Sequence, residues 1–343
     1  MAADSRENNF NLLRLLFALL VIVSHSPEIV DGNRSREILT RLFGTLSFGE
    51  VAVGGFFLIS GYLIAGSYVR TASLDRYLVK RLLRIVPGYA AAFLICVICI
   101  APFVGATDLW SMRNLGRLVA QMLQLGQPEV PGVFTGLPVP ALNGPMWTIQ
   151  WEFECYLATA VLGLLGLLQP RFRWLMLIGG GLLLLSVVGA VDGRSSMHGW
   201  GLQALAMKLQ LPTIFAVGTL YWRFRDMISL HRRGAIIAAC VLVGAMFEYH
   251  LANAAFAVCG GYLIFWAAFA VRPIHLGSLT RGDDISYGVY LYGWPVQIVT
   301  VWNYRDVNPW LLCAFSLLLA AALGAVSWRL VERPSLRLVR GSS

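Results

Sequence analysis

Two ionisable side chains, Arg14 and His25, lie in the first apolar run of the sequence. They are eleven residues apart. At about 100° per residue that spacing is roughly 20° past three full turns, so both fall on one helix face, about 16 Å apart along the axis. A guanidinium suits phosphate, and an imidazole near neutral pH suits a general base or a nucleophile. A second cluster follows at Arg76, Lys80, Arg81 and Arg84. Arg76, Lys80 and Arg84 repeat at i, i+4 and i+8, with Arg81 beside Arg84 at i+3, which makes a basic helical stripe. Such a stripe fits a polyphosphate headgroup. A third group, Glu152 and Glu154, puts two carboxylates into one apolar run. They stand about 200° apart on a helix and cannot share one role. Glu152 shares a face with Tyr156, and Glu154 faces the other way with Trp147. Glu50 is the remaining acid at the depth of His25. Lys208 is given no role.

The elements that must hold these residues follow from composition. Apolar residues make up 57% of the 343 and charged residues only 13%. Soluble domains carry about 25% charged residues. A soluble enzyme, a disordered tail, a coiled coil and a disulfide scaffold are therefore excluded, and the chain reads as an integral membrane protein. The fold class expected is all-α and polytopic. Ten apolar segments approach the roughly 20 residues that a spanning helix needs: 9–26, 46–69, 85–105, 144–168, 173–190, 201–223, 233–249, 252–271, 285–303 and 308–330. An even count puts both termini on one side. Arg6, the cluster up to Arg84, Arg171 and Arg173, Arg223 to Arg233, Arg272 and Arg281, and Arg329 to Arg340 then share that side. Fewer basic residues face the other way, among them Arg34, Arg36, Arg41, Arg113, Arg117, Arg194 and Arg305. The excess assigns both termini to the cytoplasm.

The long gap at 106–143 reads as an interfacial helix followed by a Pro/Gly-rich lid outside. The net charge of +9 is spread in short clusters between apolar runs, which is membrane patterning, so no nucleic-acid partner is expected. All six cysteines lie within apolar runs, and Cys96 and Cys99 lack a matching Cys or His pair, so neither disulfides nor a metal site are expected. Buried charges are costly in a bilayer, and each is a functional candidate. The plainer alternative is an arginine that snorkels and a histidine at the interface.

These residues resemble the membrane acyltransferase-3 family from Asn9 to about Pro334. The matching blocks are Arg14 with His25, the run Phe56 to Ile64 through Ser60 and Gly61, and the run Lys80 to Pro87. Trp147 to Tyr156 through Glu152, Ser286 to Pro295, and Val331 to Pro334 complete the set. The resemblance implies a single integral membrane acyltransferase domain over residues 1–343 in the inner, cytoplasmic membrane. Many members carry a histidine just before the Trp-Pro pair, where Gly293 stands here, so no role passes to that position. The chain also ends soon after the last span, and no appended soluble domain is expected.

The resemblance further implies a donor, acyl-CoA and most often acetyl-CoA, with no permanently bound cofactor. Arg14, Lys80, Arg81 and Arg84 would hold its phosphates at the cytoplasmic mouth. His25 would act as base or carry the acyl group. Glu152 would fix its tautomer or stabilise its charged form, with Glu50, Ser60, Trp147 and Tyr156 supporting the site. The acceptor expected is an extracytoplasmic glycan, a lipid-linked sugar or another hydroxyl compound. The other partners are the lipid bilayer and, as an open alternative to a monomer, a second copy of the chain. Two further readings stand beside this one: a transporter or flippase of a lipid-linked or anionic substrate, and a non-catalytic assembly partner. Consumption of acyl-CoA separates an enzyme from both.

Overall fold

The computed structural model describes residues 8–71, 73–192, 200–272 and 283–340, without the side chains of 186–192, 200–208, 249–250 and 339–340. Arg6, Arg194, Arg281 and the side chains of Lys208 and Arg340, all used above, lie outside what is described. The described residues form helices and no strand. In order these are α1 (Phe10–Asp31), α2 (Ile38–Phe43), α3 (Phe48–Arg70), α4 (Leu74–Leu94), α5 (Met112–Leu123), α6 (Trp147–Leu164) and α7 (Arg173–Asp192). There follow α8 (Trp200–Arg223), α9 (Arg232–Ala245), α10 (Tyr249–Ala255), α11 (Gly261–Phe269), α12 (Ser286–Asn303), α13 (Pro309–Ser327) and α14 (Arg333–Arg340). Single π turns join α10 to α11 and α13 to α14, and another extends α4 through Ile95–Ile100.

A helix lies over each of the ten apolar segments. Among the described residues, five helical stretches are long and apolar enough to cross a membrane: Phe10–Asp31, Phe48–Arg70, Leu74–Phe103, Leu251–Phe269 and Pro309–Leu338. With the apolar composition this makes the chain an all-helical integral membrane protein.

The helix that carries Arg14 and His25 is longer than its sequence segment. It continues through Pro27 to Asp31 and stops where Gly32 takes a left-handed conformation (φ 72°), its N–H donating to the Glu28 carbonyl. That extra turn keeps Glu28 helical, one turn beyond His25. α3 starts from a capping box in which Ser47 and Glu50 satisfy each other's backbone N–H groups. In the gap expected to form a helix and lid, the helix is α5, followed by irregular chain to Asn143.

α3 lies at the centre, against α1 on one side and α8 on the other, and α12 packs between α1 and α13. The α3–α8 contact is backbone on backbone. A Cβ at Gly61 would stand 2.0 Å from the Phe215 carbonyl oxygen, and one at Gly218 would stand 2.2 Å from that of Leu58. Inside a membrane, where lipid is as apolar as a side chain, close approach of this kind drives helix association. Gly61 in the Phe56–Ile64 block is thus a packing residue. Gly61→Val should cost about 3 kcal/mol by overpacking, seen as a lower melting temperature of the detergent-solubilised protein.

Candidate functional site: a basic cavity and a histidine at opposite ends of one helix

α1 carries Arg14 near one end and His25 near the other, and each sits in its own polar cluster. At the Arg14 end a cavity of about 390 Å³ is lined by Arg14, Lys80, Arg81, Arg84, Ser60, Tyr156 and three aliphatic side chains. α4 supplies Lys80, Arg81 and Arg84 because one turn of its basic stripe faces inward. Arg76, at the start of the same stripe, is exposed and does not line the cavity.

The four basic groups are not equivalent. Arg14 and Arg84 both bind one carboxylate, Asp284, at 3.0 and 2.5 Å. Asp284 lies just before α12 and also accepts from the Ser286 hydroxyl. Burial alone would raise its carboxyl, but Arg14, Arg84 and the Ser286 bonds outweigh that and hold it well below the usual carboxylate range. Among the described residues Arg81 has no carboxylate partner. Its guanidinium carbon lies about 6 Å from the ring centres of Tyr77 and Tyr156, with only a long contact to Ser67 Oγ at 3.4 Å. Its Nε is buried without a hydrogen-bond partner among the described residues. Arg81 is the cation of this cavity that is best placed to accept an anion.

Glu152 sits behind the cavity and does not meet His25. Its Oε1 accepts from the Ser60 hydroxyl at 2.8 Å and from the Tyr156 hydroxyl at 2.5 Å. The i, i+4 relation to Tyr156 is as expected, whereas the expected contact with the imidazole is replaced by the two hydroxyl donors. Glu152 and Arg14 also line a small inner space of about 30 Å³ with Phe56, Thr148, Tyr287 and Tyr290. Glu154 is exposed and bonded to Gln150 on its own helix at 3.0 Å, not across to a neighbour. Trp147 is half exposed and lines neither cavity, so the structure does not bring it into the site. Glu152→Gln should therefore lower stability by about 1–3 kcal/mol, since it perturbs two buried hydroxyl partners. Glu154→Gln should stay within about 0.5 kcal/mol. Melting curves of the two variants check the difference.

At the other end, His25 Nδ1 lies 2.9 Å from Glu28 Oε2. Arg34, in the loop after α1, reaches the same oxygen at 3.3 Å and Glu50 Oε2 at 3.5 Å. Burial would lower the Arg34 guanidinium, but Glu28 and Glu50 more than offset this and keep it raised. The Trp294 ring meets His25 edge to face at 4.9 Å, and its indole N–H donates to the Ala141 carbonyl at 2.8 Å. Glu50 thus belongs to the His25 cluster through Arg34 as well as capping α3. Gly293, where a histidine stands in many family members, faces α1. A Cβ there would come within 2.7 Å of Ile22 Cγ1.

Glu28, Arg34 and Asp284 were missed by sequence reasoning. His25 and Glu28 at i, i+3 are a readable signal once α1 is allowed its last turn. Asp284 is 270 residues from Arg14, and no local pattern connects them.

The described residues thus form an all-helical membrane protein with a cavity lined by four cationic side chains at one end of α1 and a histidine near the other. Comparison with known sequences gives the class. The chain belongs to the acyltransferase-3 family, whose acyltransferase-domain model matches residues 7–329. It is 25% identical over 332 residues to the O-acetyl transferase of Shigella phage Sf6, covering 96% of each chain. It is 28% identical to nodulation protein 10 of Rhizobium leguminosarum bv. viciae, over 98% of this chain and 95% of that one. It is 24% identical to O-acetyltransferase OatA of Staphylococcus aureus, over 84% of this chain and 53% of that one. No solved structure matches the sequence. The chain is an integral membrane acyltransferase by family.

Proposed function

We propose that this protein is a membrane O-acyltransferase that moves an acyl group, acetyl first, from cytoplasmic acyl-CoA to a hydroxyl of an extracytoplasmic glycan or lipid-linked sugar. The observation that carries the reading is the convergence of Arg14, Lys80, Arg81 and Arg84 on one cavity. One of them, Arg14, shares a helix face with His25 about 16 Å away. That distance suits a donor held by its phosphates at one end, with a long arm carrying the thioester to the other. The O-acetyl names of two relatives support acetyl as the group transferred.

In this reading the single domain crosses the inner membrane ten times, both termini lie in the cytoplasm, and the basic cavity opens on that side. The donor's phosphates pair with Arg81 and Lys80 and share Arg14 and Arg84 with Asp284. His25 takes the proton from the acceptor hydroxyl as its oxygen attacks the thioester carbonyl carbon. The tetrahedral intermediate collapses, the C–S bond breaks, and the proton passes from the imidazolium to the departing sulfur. The products are an ester and free coenzyme A. Glu152, which accepts hydrogen bonds from Ser60 and Tyr156, stands between the basic cavity and the small inner space beside it.

Inverted membrane vesicles containing the full chain, supplied with acetyl-labelled acetyl-CoA, test the reading. Thioester consumption with label appearing in a glycan or lipid-linked fraction is expected. Movement of lipid-linked sugar across the membrane with no thioester consumed would replace it by the flippase reading. Label recovered on His25 itself would make the histidine an acyl carrier.

A further inference from the structure

The imidazole of His25 has a carboxylate partner of its own that the reaction scheme above leaves unused. We propose that Glu28 is the positioning residue of His25: it holds the proton on Nδ1, presents Nε2 to the acceptor hydroxyl, and is itself held by Arg34. The proposal rests on His25 being the base of an acyltransferase. It names the group that orients that base.

Four observations carry it. Nδ1, not Nε2, is the ring atom at 2.9 Å from Glu28. An ionised carboxylate only accepts, so the shared hydrogen sits on Nδ1 and the neutral ring keeps its free electron pair on Nε2. Arg34 at 3.3 Å gives the same Glu28 oxygen a cationic partner. Arg34 is tied in turn to Glu50 at the cap of α3 at 3.5 Å, so the carboxylate is fixed to two helices. The edge-to-face contact with Trp294, itself pinned by the Ala141 carbonyl, limits rotation of the ring. Finally, Glu152, the other acid considered for this role, is engaged by Ser60 and Tyr156.

The chemistry follows. When Nε2 accepts the acceptor's proton, the ring becomes an imidazolium whose Nδ1–H already points at a carboxylate, and that hydrogen bond becomes charge-assisted. When the C–S bond breaks, Nε2–H returns the proton to sulfur and the ring reverts to the same tautomer, ready for the next turnover. Glu28 stays ionised throughout. An exposed i, i+3 ion pair on a helix would need neither the Arg34 brace nor the indole wall.

Glu28→Gln, Glu28→Asp and His25→Ala in the full chain test this. Acetyl-CoA consumption in inverted vesicles, acetyl-CoA affinity, melting temperature and 15N NMR of ring-labelled histidine are measured. The chain has five histidines, and the His25→Ala spectrum assigns the resonance. For Glu28→Gln we expect kcat to fall by about 100-fold or more, the scale of losing a correctly oriented base. Donor affinity and melting temperature should stay near wild type. Glu28→Asp should recover at least about tenfold of the loss, because it keeps the charge. Wild-type His25 should show Nδ1–H, and Glu28→Gln should shift the ring toward the Nε2–H form. Glu28→Gln turning over within about threefold of wild type while His25→Ala is inactive overturns the positioning role and leaves the base intact. His25→Ala turning over normally overturns the base itself. A parallel loss of melting temperature and activity in Glu28→Gln, not recovered by Asp, makes Glu28 a structural residue. A wild-type His25 carrying its proton on Nε2 overturns the tautomer assignment whatever the activity.

Discussion

His25→Ala is expected to lower kcat for acyl transfer by about 10²–10⁴-fold while acetyl-CoA still binds. The size is that of removing a positioned general base. The split follows from distance, because the basic cavity lies about three helical turns away from the imidazole and shares no lining residue with it. Turnover and isothermal titration with acetyl-CoA on the same preparation check it. An unchanged kcat removes His25 from the reaction.

The spacing that makes this testable was readable in the sequence, since Arg14 and His25 interrupt one apolar run at a helical interval. The boundary of that helix was not. Its sequence segment stops at residue 26, and the chain stays helical through Pro27 until Gly32 ends it, so Glu28 went unread. Once that turn is counted, the imidazole finds its acid three residues away on its own helix. The pairing given to Glu152 failed for a different reason. The hydroxyls of Ser60 and Tyr156, on two different spans, satisfy the carboxylate in place of the imidazole, and a charge pattern alone does not show such donors. Asp284 lay beyond reach. A single sequence holds no sign that a loop carboxylate will fold between Arg14 of α1 and Arg84 of α4. The helices themselves were legible because ten apolar runs have little else to become in a bilayer. The depth at which helices meet depends on residues such as Gly61 and Gly218, whose closeness appears only in three dimensions.

Arg81→Ala and Arg84→Ala are expected to part company. Arg81 pairs with no acid among the described residues, so its loss should weaken acetyl-CoA binding by about 1.5–3 kcal/mol, roughly 10–150-fold, with little change in folding. Arg84 holds half of a buried ion cluster, and its loss leaves Asp284 on Arg14 alone. Breaking a buried pair costs about 3–5 kcal/mol, so Arg84→Ala should lower the melting temperature as well as affinity. Titration with coenzyme A beside a thermal melt separates the two. Equal affinity in Arg81→Ala and wild type would remove the anion site from this cavity.

The arrangement of that cavity also bears on what happens after the ester forms. In the proposed reaction its cations would hold phosphates, the part of the donor that the reaction leaves untouched. Binding of this kind is uniform between substrate and product, so it adds to affinity without lowering the barrier. Spent coenzyme A should therefore occupy the cavity as firmly as its acylated form and compete with it. Four cations around one cavity would also make that grip electrostatic, so it should loosen as salt rises. In a cell the ratio of acylated to free coenzyme, more than the total of either, would then set how fast the surface is decorated.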